Sequence, residues 1–240
     1  MYPKFLFKNI KVQTKISIGF AGLELKIIRI KDNKLYCKVI KSGYLESNKG
    51  VHIHSSKLKL DPLTKKDKKA IEIAKKFDVR IFALSFANSE TDVEQIKKRI
   101  PKKSIIISKI ETKKGFLNRI KITRASDAIL IDRGDLSRYV DIPKIPLAQR
   151  IIIRDAKKNN KSVYVATNLL ETMINSNEPT RAESNDIFSS LEMGSDGLVL
   201  AAETAIGKYP NECINFLKKS IKIFYDQKKF KRNNNYFFRL

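Results

Sequence analysis

This chain lacks the features that place a protein in a membrane or a disulfide framework. No apolar run in it reaches the roughly 18 residues that a bilayer span requires. The opening MYPKFLFKNIK has neither the long apolar stretch nor the small-residue cleavage site of a secretion signal. Only two cysteines occur, Cys37 and Cys213, with no Cys-x-x-Cys or Cys/His spacing, so they are expected to be reduced and mostly buried. The expectation is a cytoplasmic protein with no membrane association.

Arginine is sparse beside lysine, and this bears on the net charge of +24. Residues 1–79 carry 19 basic against 7 acidic side chains and residues 218–240 carry 8 against 1, whereas residues 80–217 carry 22 against 17. The excess therefore sits at the two ends. A surface built to grip phosphates bidentately favours arginine, so nucleic-acid binding is not expected and a solvated lysine surface is. With 42% hydrophobic residues over 240 positions, the chain can bury a sizeable core.

From Ile81 onward one pattern recurs: an apolar β-type run, a polar turn, then an amphipathic helix. The runs are Ile81–Phe86, Ser104–Ser108, Ala128–Asp132, Ser162–Ala166 and Gly197–Ala201. Helices are expected near Thr91–Arg99, Lys114–Thr123, Pro146–Asn159, Ala182–Met193 and Asn211–Tyr225. Consecutive apolar residues suit strands covered on both faces. The alternation implies parallel β/α units. Five such units fit an open doubly wound sheet or part of an eight-stranded barrel, and spacing alone does not decide between them. Before Asp61 the pattern changes. Lys15–Phe20, Glu24–Ile30, Lys34–Lys41 and Gly50–His54 alternate apolar and polar residues, with turns at Asp32-Asn33 and Ser42-Gly43. The organisation expected is a small antiparallel β module over 1–60, an α/β domain over 61–226 opened by an N-cap at Thr64, and a basic tail over 227–240.

Two strings stand at the ends of apolar runs: Ser108-Lys109-Ile110-Glu111 and Asp132-Arg133-Gly134-Asp135. A lysine and a carboxylate at one strand end, beside a Gly-Asp turn at another, can hold a divalent metal next to an anionic substrate. That points to chemistry on a phosphorylated or enolisable small molecule. Taken singly, a Lys-x-Glu is an ordinary surface pair and an Arg-Gly-Asp turn an ordinary turn.

Taken together with four further strings, they resemble the pyruvate kinase family. Those strings are Ala166-Thr167-Asn168-Leu169-Leu170-Glu171, Pro179-Thr180-Arg181-Ala182-Glu183, Leu200-Ala201-Ala202-Glu203-Thr204-Ala205 and Gly207-Lys208-Tyr209-Pro210, all in the family's order. The likeness spans roughly residues 20–225. It implies an α/β fold in which the five units are the C-terminal part of a (β/α)8 TIM barrel, preceded by the end of a small lid domain. It also implies metal-dependent phosphoryl transfer between phosphoenolpyruvate and ADP, giving pyruvate and ATP. On this reading Glu111 and Asp135 are ligands of Mg2+ or Mn2+, and Lys109 neutralises the transferring phosphoryl group. The main chain around Arg133, Gly134 and Asp135 holds the substrate carboxylate, and Thr167 places the proton donor on the enolate. Arg181 and Glu183 are expected to be structural or at a subunit interface.

The departures from the family pattern set further expectations. The family's strings for its first three barrel strands are not found, so the K+ site and part of the ADP site are expected to be absent from this chain. Self-association or a separate N-terminal half is then expected to complete the sheet. Within the matched region, Asp132 stands where the family has alanine, Ala201-Ala202 where it has Ser-Gly, and Ile206 where it has lysine. The alternative functions left open are a metal-dependent 2-oxo acid lyase or decarboxylase, and a catalytically inactive remnant or binding module.

Overall fold

A computed structural model describes residues 10–19, 22–32, 34–45, 47, 49–54 and 61–229. The expected strand end at Phe20, the turn residue Asn33 and residues 230–240 of the tail lie outside the described residues. The chain divides into two units, Met1–Asp61 and Pro62–Leu240.

The first unit is a four-stranded antiparallel sheet of β1 (Lys15–Ile18), β2 (Leu23–Lys31), β3 (Lys34–Lys41) and β4 (Val51–Ile53), in the order β3-β2-β1-β4. Ile10, Ile16 and Ile27 form its small core, backed by Leu25, Leu35 and Ile53. Alternation buries Ile27 fully and leaves Ile28 52% exposed, and the register shift between Ile27 and Arg29 brings Ile30 rather than Arg29 back to the core.

The second unit opens with α1 (Lys65–Lys76), started by a reciprocal capping box between Thr64 and Asp67. Five parallel strands then pair in sequence order: β5 (Ile81–Leu84), β6 (Ile105–Ile110), β7 (Ala128–Asp132), β8 (Ser162–Ala166) and β9 (Gly197–Val199). The connecting helices are α2 (Glu90–Lys97), α3 (Lys113–Leu117), α4 (Arg119–Ala125), α5 (Arg133–Leu136), α6 (Ile145–Lys158) and α7 (Arg181–Glu192). After β9 come α8 (Ala202–Ala205) and the long α9 (Pro210–Lys229).

Strand alternation explains which side of this sheet is packed. Ile106, Ile110, Ile129, Ile131, Val163 and Val165 all point to one face, where they meet Val93, Ile96, Ile122, Ile152 and Ile153 from the helices. Each such aliphatic side chain contributes about 1.5–3 kcal/mol when fully buried. The opposite face is more open: Ile81 is 59% and Ile105 46% exposed. The expectation of strands covered on both faces is therefore corrected. Helices pack on one face, and the consecutive apolar residues of β5 and β6 leave isoleucine exposed on the other. Aspartates at strand starts pin the register. Asp127 accepts from the Ile106 N–H and Asp196 from the Val163 N–H, both at 2.8 Å.

Some boundaries also differ from expectation. The helix expected over Lys114–Thr123 is two helices, broken at Asn118, whose amide donates to the Asn88 carbonyl at 2.7 Å. That tertiary bond redirects the chain. The run beginning at Ile81 ends as a strand at Leu84 because Phe86 turns into the left-handed region, at φ 54°. The last helix continues past Tyr225 to Lys229, through the expected start of the tail.

Candidate active site

The carboxyl ends of the strands carry the unusual backbone and the buried charge. Besides Phe86, Thr167 (φ 68°) and Asn168 (φ 53°) leave β8 in the left-handed region. For a β-branched threonine that conformation is costly and persists only where its surroundings hold it. In open α/β sheets this end of the strands is where ligands bind.

Lys109 and Glu111 emerge from β6 two residues apart, so they share a face. The Lys109 ammonium lies 2.7 Å from Glu111 Oε1 and 3.2 Å from Asp132 Oδ2, joining the ends of β6 and β7. Glu111 is buried, and its Oε2 accepts from the Phe86 N–H, which brings in the end of β5. Its Oε1 is ion-paired with the Lys109 ammonium in a closed environment. Asp132 accepts from the Asp135 N–H through Oδ1 at 3.3 Å and so caps α5. Asp135 pairs with Arg138 at 3.3 Å. One oxygen each from Glu111, Asp132 and Asp135 lie within 4.8 Å of one another.

Electrostatics follow from this enclosure. Burial works against the Lys109 charge, but Glu111 and Asp132 outweigh it and hold the ammonium above its ordinary value. Burial pushes the Glu111 carboxyl up, against the pull of Lys109 and the Phe86 N–H. Burial and the charge of Asp132 likewise raise Asp135. Three carboxylate oxygens this close together fit a hard divalent ion.

Thr167 sits opposite. Its Oγ1 accepts from the Gly134 N–H at 2.8 Å, donates to its neighbour's carbonyl at 2.6 Å and lies 3.4 Å from Asp132 Oδ1. Two of the main-chain N–H groups expected to grip a substrate carboxylate, those of Gly134 and Asp135, are thus engaged within the chain. The Arg133 guanidinium points away from the carboxylates. It grips the Thr167 carbonyl through Nε at 3.1 Å and Nη2 at 2.6 Å, and reaches Asp186 at 2.6 Å. Arg133 therefore fixes the strained peptide that presents Thr167.

Two residues singled out in the sequence stand elsewhere. Glu183 caps α7: it accepts from the N–H groups of Thr180 and Thr172, both at 2.7 Å. Arg181 is exposed at the first turn of that helix and borders a groove with Met173, Glu212 and Phe216. Partial burial would raise the Glu183 carboxyl, but those hydrogen bonds outweigh it and hold it below its ordinary value. Its contribution to stability is complete above the unfolded value and is lost as pH falls through the lower folded one. Glu183→Gln is expected to remove that acid-limb dependence and lower stability by about 1 kcal/mol, read from urea midpoints across pH.

Sequence reasoning assigned no role to Glu203 and treated Asp132 only as an added charge. Glu203 is buried and accepts from the N–H groups of Leu170 at 3.1 Å and Ala201 at 2.8 Å, tying the loops after β8 and β9. A glutamate between Ala202 and Thr204 signals this role only once those loops are seen to meet.

Lysine, three carboxylates and a strained threonine come together at the ends of adjacent parallel strands. Comparison with known proteins gives the family. The family model described as pyruvate kinase, barrel domain, matches residues 1–214. The pyruvate kinase of Thermotoga maritima is 38% identical over 218 residues, covering 90% of this chain and 47% of its own length. Those of Methanocaldococcus jannaschii and Buchnera aphidicola are each 36% identical, over 87% and 89% of this chain and 47% and 46% of their own lengths. The chain belongs to the pyruvate kinase family. It spans about half the length of the curated relatives it matches. Among the described residues, no helix is long and apolar enough to cross a membrane.

Proposed function

We propose that this chain contributes the metal- and phosphoryl-handling part of a pyruvate kinase site, moving a phosphoryl group from phosphoenolpyruvate to ADP to give pyruvate and ATP. The observation that carries this reading is the Lys109 ammonium held between Glu111 and Asp132, with Asp135 alongside, at the strand ends. Glu111 and Asp135 would hold Mg2+ or Mn2+, which would supply positive charge beside the substrate oxygens. Lys109 faces the transferring phosphoryl group, a fixed positive charge where negative charge concentrates in the transition state. Its ion pairs keep it extended toward that position rather than free in solvent. Thr167 orders the enolate face through its hydroxyl. A substrate carboxylate would reach the main chain at Gly134 by displacing the Thr167 hydroxyl from its N–H.

The nucleotide side and K+ are assigned to strands outside the parallel five. Neither edge of that sheet, β5 nor β9, has an outer neighbour among the described residues, and Ile81 and Ile105 are exposed on its open face. Open edges and exposed isoleucines favour completion by further strands into an eight-stranded (β/α)8 barrel, supplied by another segment or a second copy.

The test is to mix the purified chain with the N-terminal half of a relative's pyruvate kinase, Mg2+, K+, ADP and phosphoenolpyruvate, and to measure ATP. ATP should form with the wild-type chain and fall at least about 100-fold in Lys109→Ala. Gly134→Ala separates function from folding. A Cβ there would lie 3.5 Å from Asp132 Oδ1 and Thr167 Oγ1, ordinary contact, so stability should stay within about 1 kcal/mol while transfer falls. Failure of the wild-type mixture to make ATP, or equal rates from wild type and Lys109→Ala, overturns the reading.

A further inference from the structure

We propose that His52 and His54, on the outer strand of the small antiparallel sheet, form a chelating pair for a borderline transition ion such as Zn2+, Ni2+ or Cu2+, with Ser17 holding one of the rings in place. The pair belongs to the first unit and does not rest on the proposed function.

These are the chain's only two histidines, and strand alternation brings them together. His52 lies within β4, and His54 continues its pairing by donating its N–H to the Lys15 carbonyl at 2.9 Å. Both side chains therefore leave the chain opposite Ile53, which backs the small core. Their ring centres are 4.5 Å apart. Imidazoles that share a metal about 2.0–2.1 Å from each nitrogen have centres about 4.5–5 Å apart when the two bonds meet at a right or tetrahedral angle. The separation is already that of a shared ion. The rings stand edge to face at 83°, so one must turn about its outer side-chain torsion, a broad one for histidine, to aim both nitrogens at one point.

Ser17, the cross-strand partner of His52, places its hydroxyl 2.7 Å from His54 Nε2. With the ring donating, Nδ1 is left as the lone-pair nitrogen and the ring is held, which is what an outer partner does for a metal-bound histidine. Neutral imidazole nitrogens suit borderline ions rather than Mg2+ or Ca2+. His54 is exposed and β4 is an edge strand, so an ion and the waters that complete its shell reach the pair from solvent. Lys15 is exposed as well, and its long stem keeps the ammonium in water. An ion held here would fasten β4, only three residues long, to β1 through the Ser17 hydroxyl.

The experiment is a Cu2+ titration of the full chain in excess Mg2+, which occupies oxygen sites, followed by electron paramagnetic resonance. Wild type should bind one Cu2+ with splitting from two imidazole nitrogens. His52→Gln and His54→Gln should each lose one nitrogen from that splitting and bind at least about tenfold more weakly. Ser17→Ala should also bind about tenfold more weakly but keep both nitrogens, whereas Ser17→Thr, which retains the hydroxyl, should match wild type. Circular dichroism should be the same for all four variants. Absence of the two-nitrogen signal in wild type overturns the inference. Equal affinity in wild type and Ser17→Ala also overturns it, because the histidines are then an adventitious pair only.

Discussion

Lys109→Met is expected to cost about 3 kcal/mol of folding stability at neutral pH, and millimolar Mn2+ is expected to return part of it. The lysine is the shared partner of two carboxylates, of which Glu111 is 1% and Asp132 8% exposed. Methionine retains the stem and removes only the ammonium, so packing changes little. What remains is a pair of enclosed negative charges with no counterion between them, the situation in which breaking a buried ion pair is most damaging. A divalent ion supplies the missing positive charge at the same oxygens and stabilises the folded state by mass action. Urea midpoints with and without Mn2+ measure both parts. A variant as stable as wild type would show that the triangle of charges does not hold the strand ends together.

Arg133→Met should cost a comparable amount, about 3 kcal/mol from charged hydrogen bonds lost at a buried carbonyl, and should separate two functions of the site. The guanidinium holds the Thr167 carbonyl with two donors while the residue sits at φ 68°. Without that grip Thr167 relaxes toward an ordinary conformation and its hydroxyl leaves the Gly134 N–H. Turnover in the completed protein should fall steeply, whereas Mn2+ affinity at the proposed Glu111 and Asp135 pair should hardly move. Arg133→Lys should not rescue turnover, because a single ammonium cannot reproduce the planar fork. A parallel loss of metal affinity would contradict the division of labour proposed here.

Much of this arrangement was legible in the chain itself, for identifiable reasons. All five parallel strands announced themselves as short apolar runs, because one side of each lies under helices. Periodicity says nothing about how completely the other side is covered, so the exposure of Ile81 and Ile105 could not be read. The break at Asn118 was hidden because it depends on Asn88, which is 30 residues away along the chain. At the site, residue types at strand ends pointed to Lys109, Glu111 and Asp135. The direction of a long side chain did not follow from its position, and Arg133 next to Gly134 turns its charge to the far side. Asp132 could be recognised as an extra charge, but its 3.2 Å approach to Lys109 requires the pairing of β6 with β7.

The alternation along β6 also fixes how this gene can change length. Lys109 follows Ile107 on one side of the strand, while Ile106, Ser108 and Ile110 occupy the other. Inserting or deleting one residue between Ile105 and Lys109 would exchange the two sides, driving the ammonium under the helices and turning isoleucines toward the strand-end carboxylates. A two-residue change would keep the sides but slide Lys109 past Asp132 by about 6.6 Å, more than any side chain can recover. Length variation in a mutational library should therefore be tolerated in the loop around Lys102-Lys103 and purged from Ile105 to Glu111, however conservative the inserted residue.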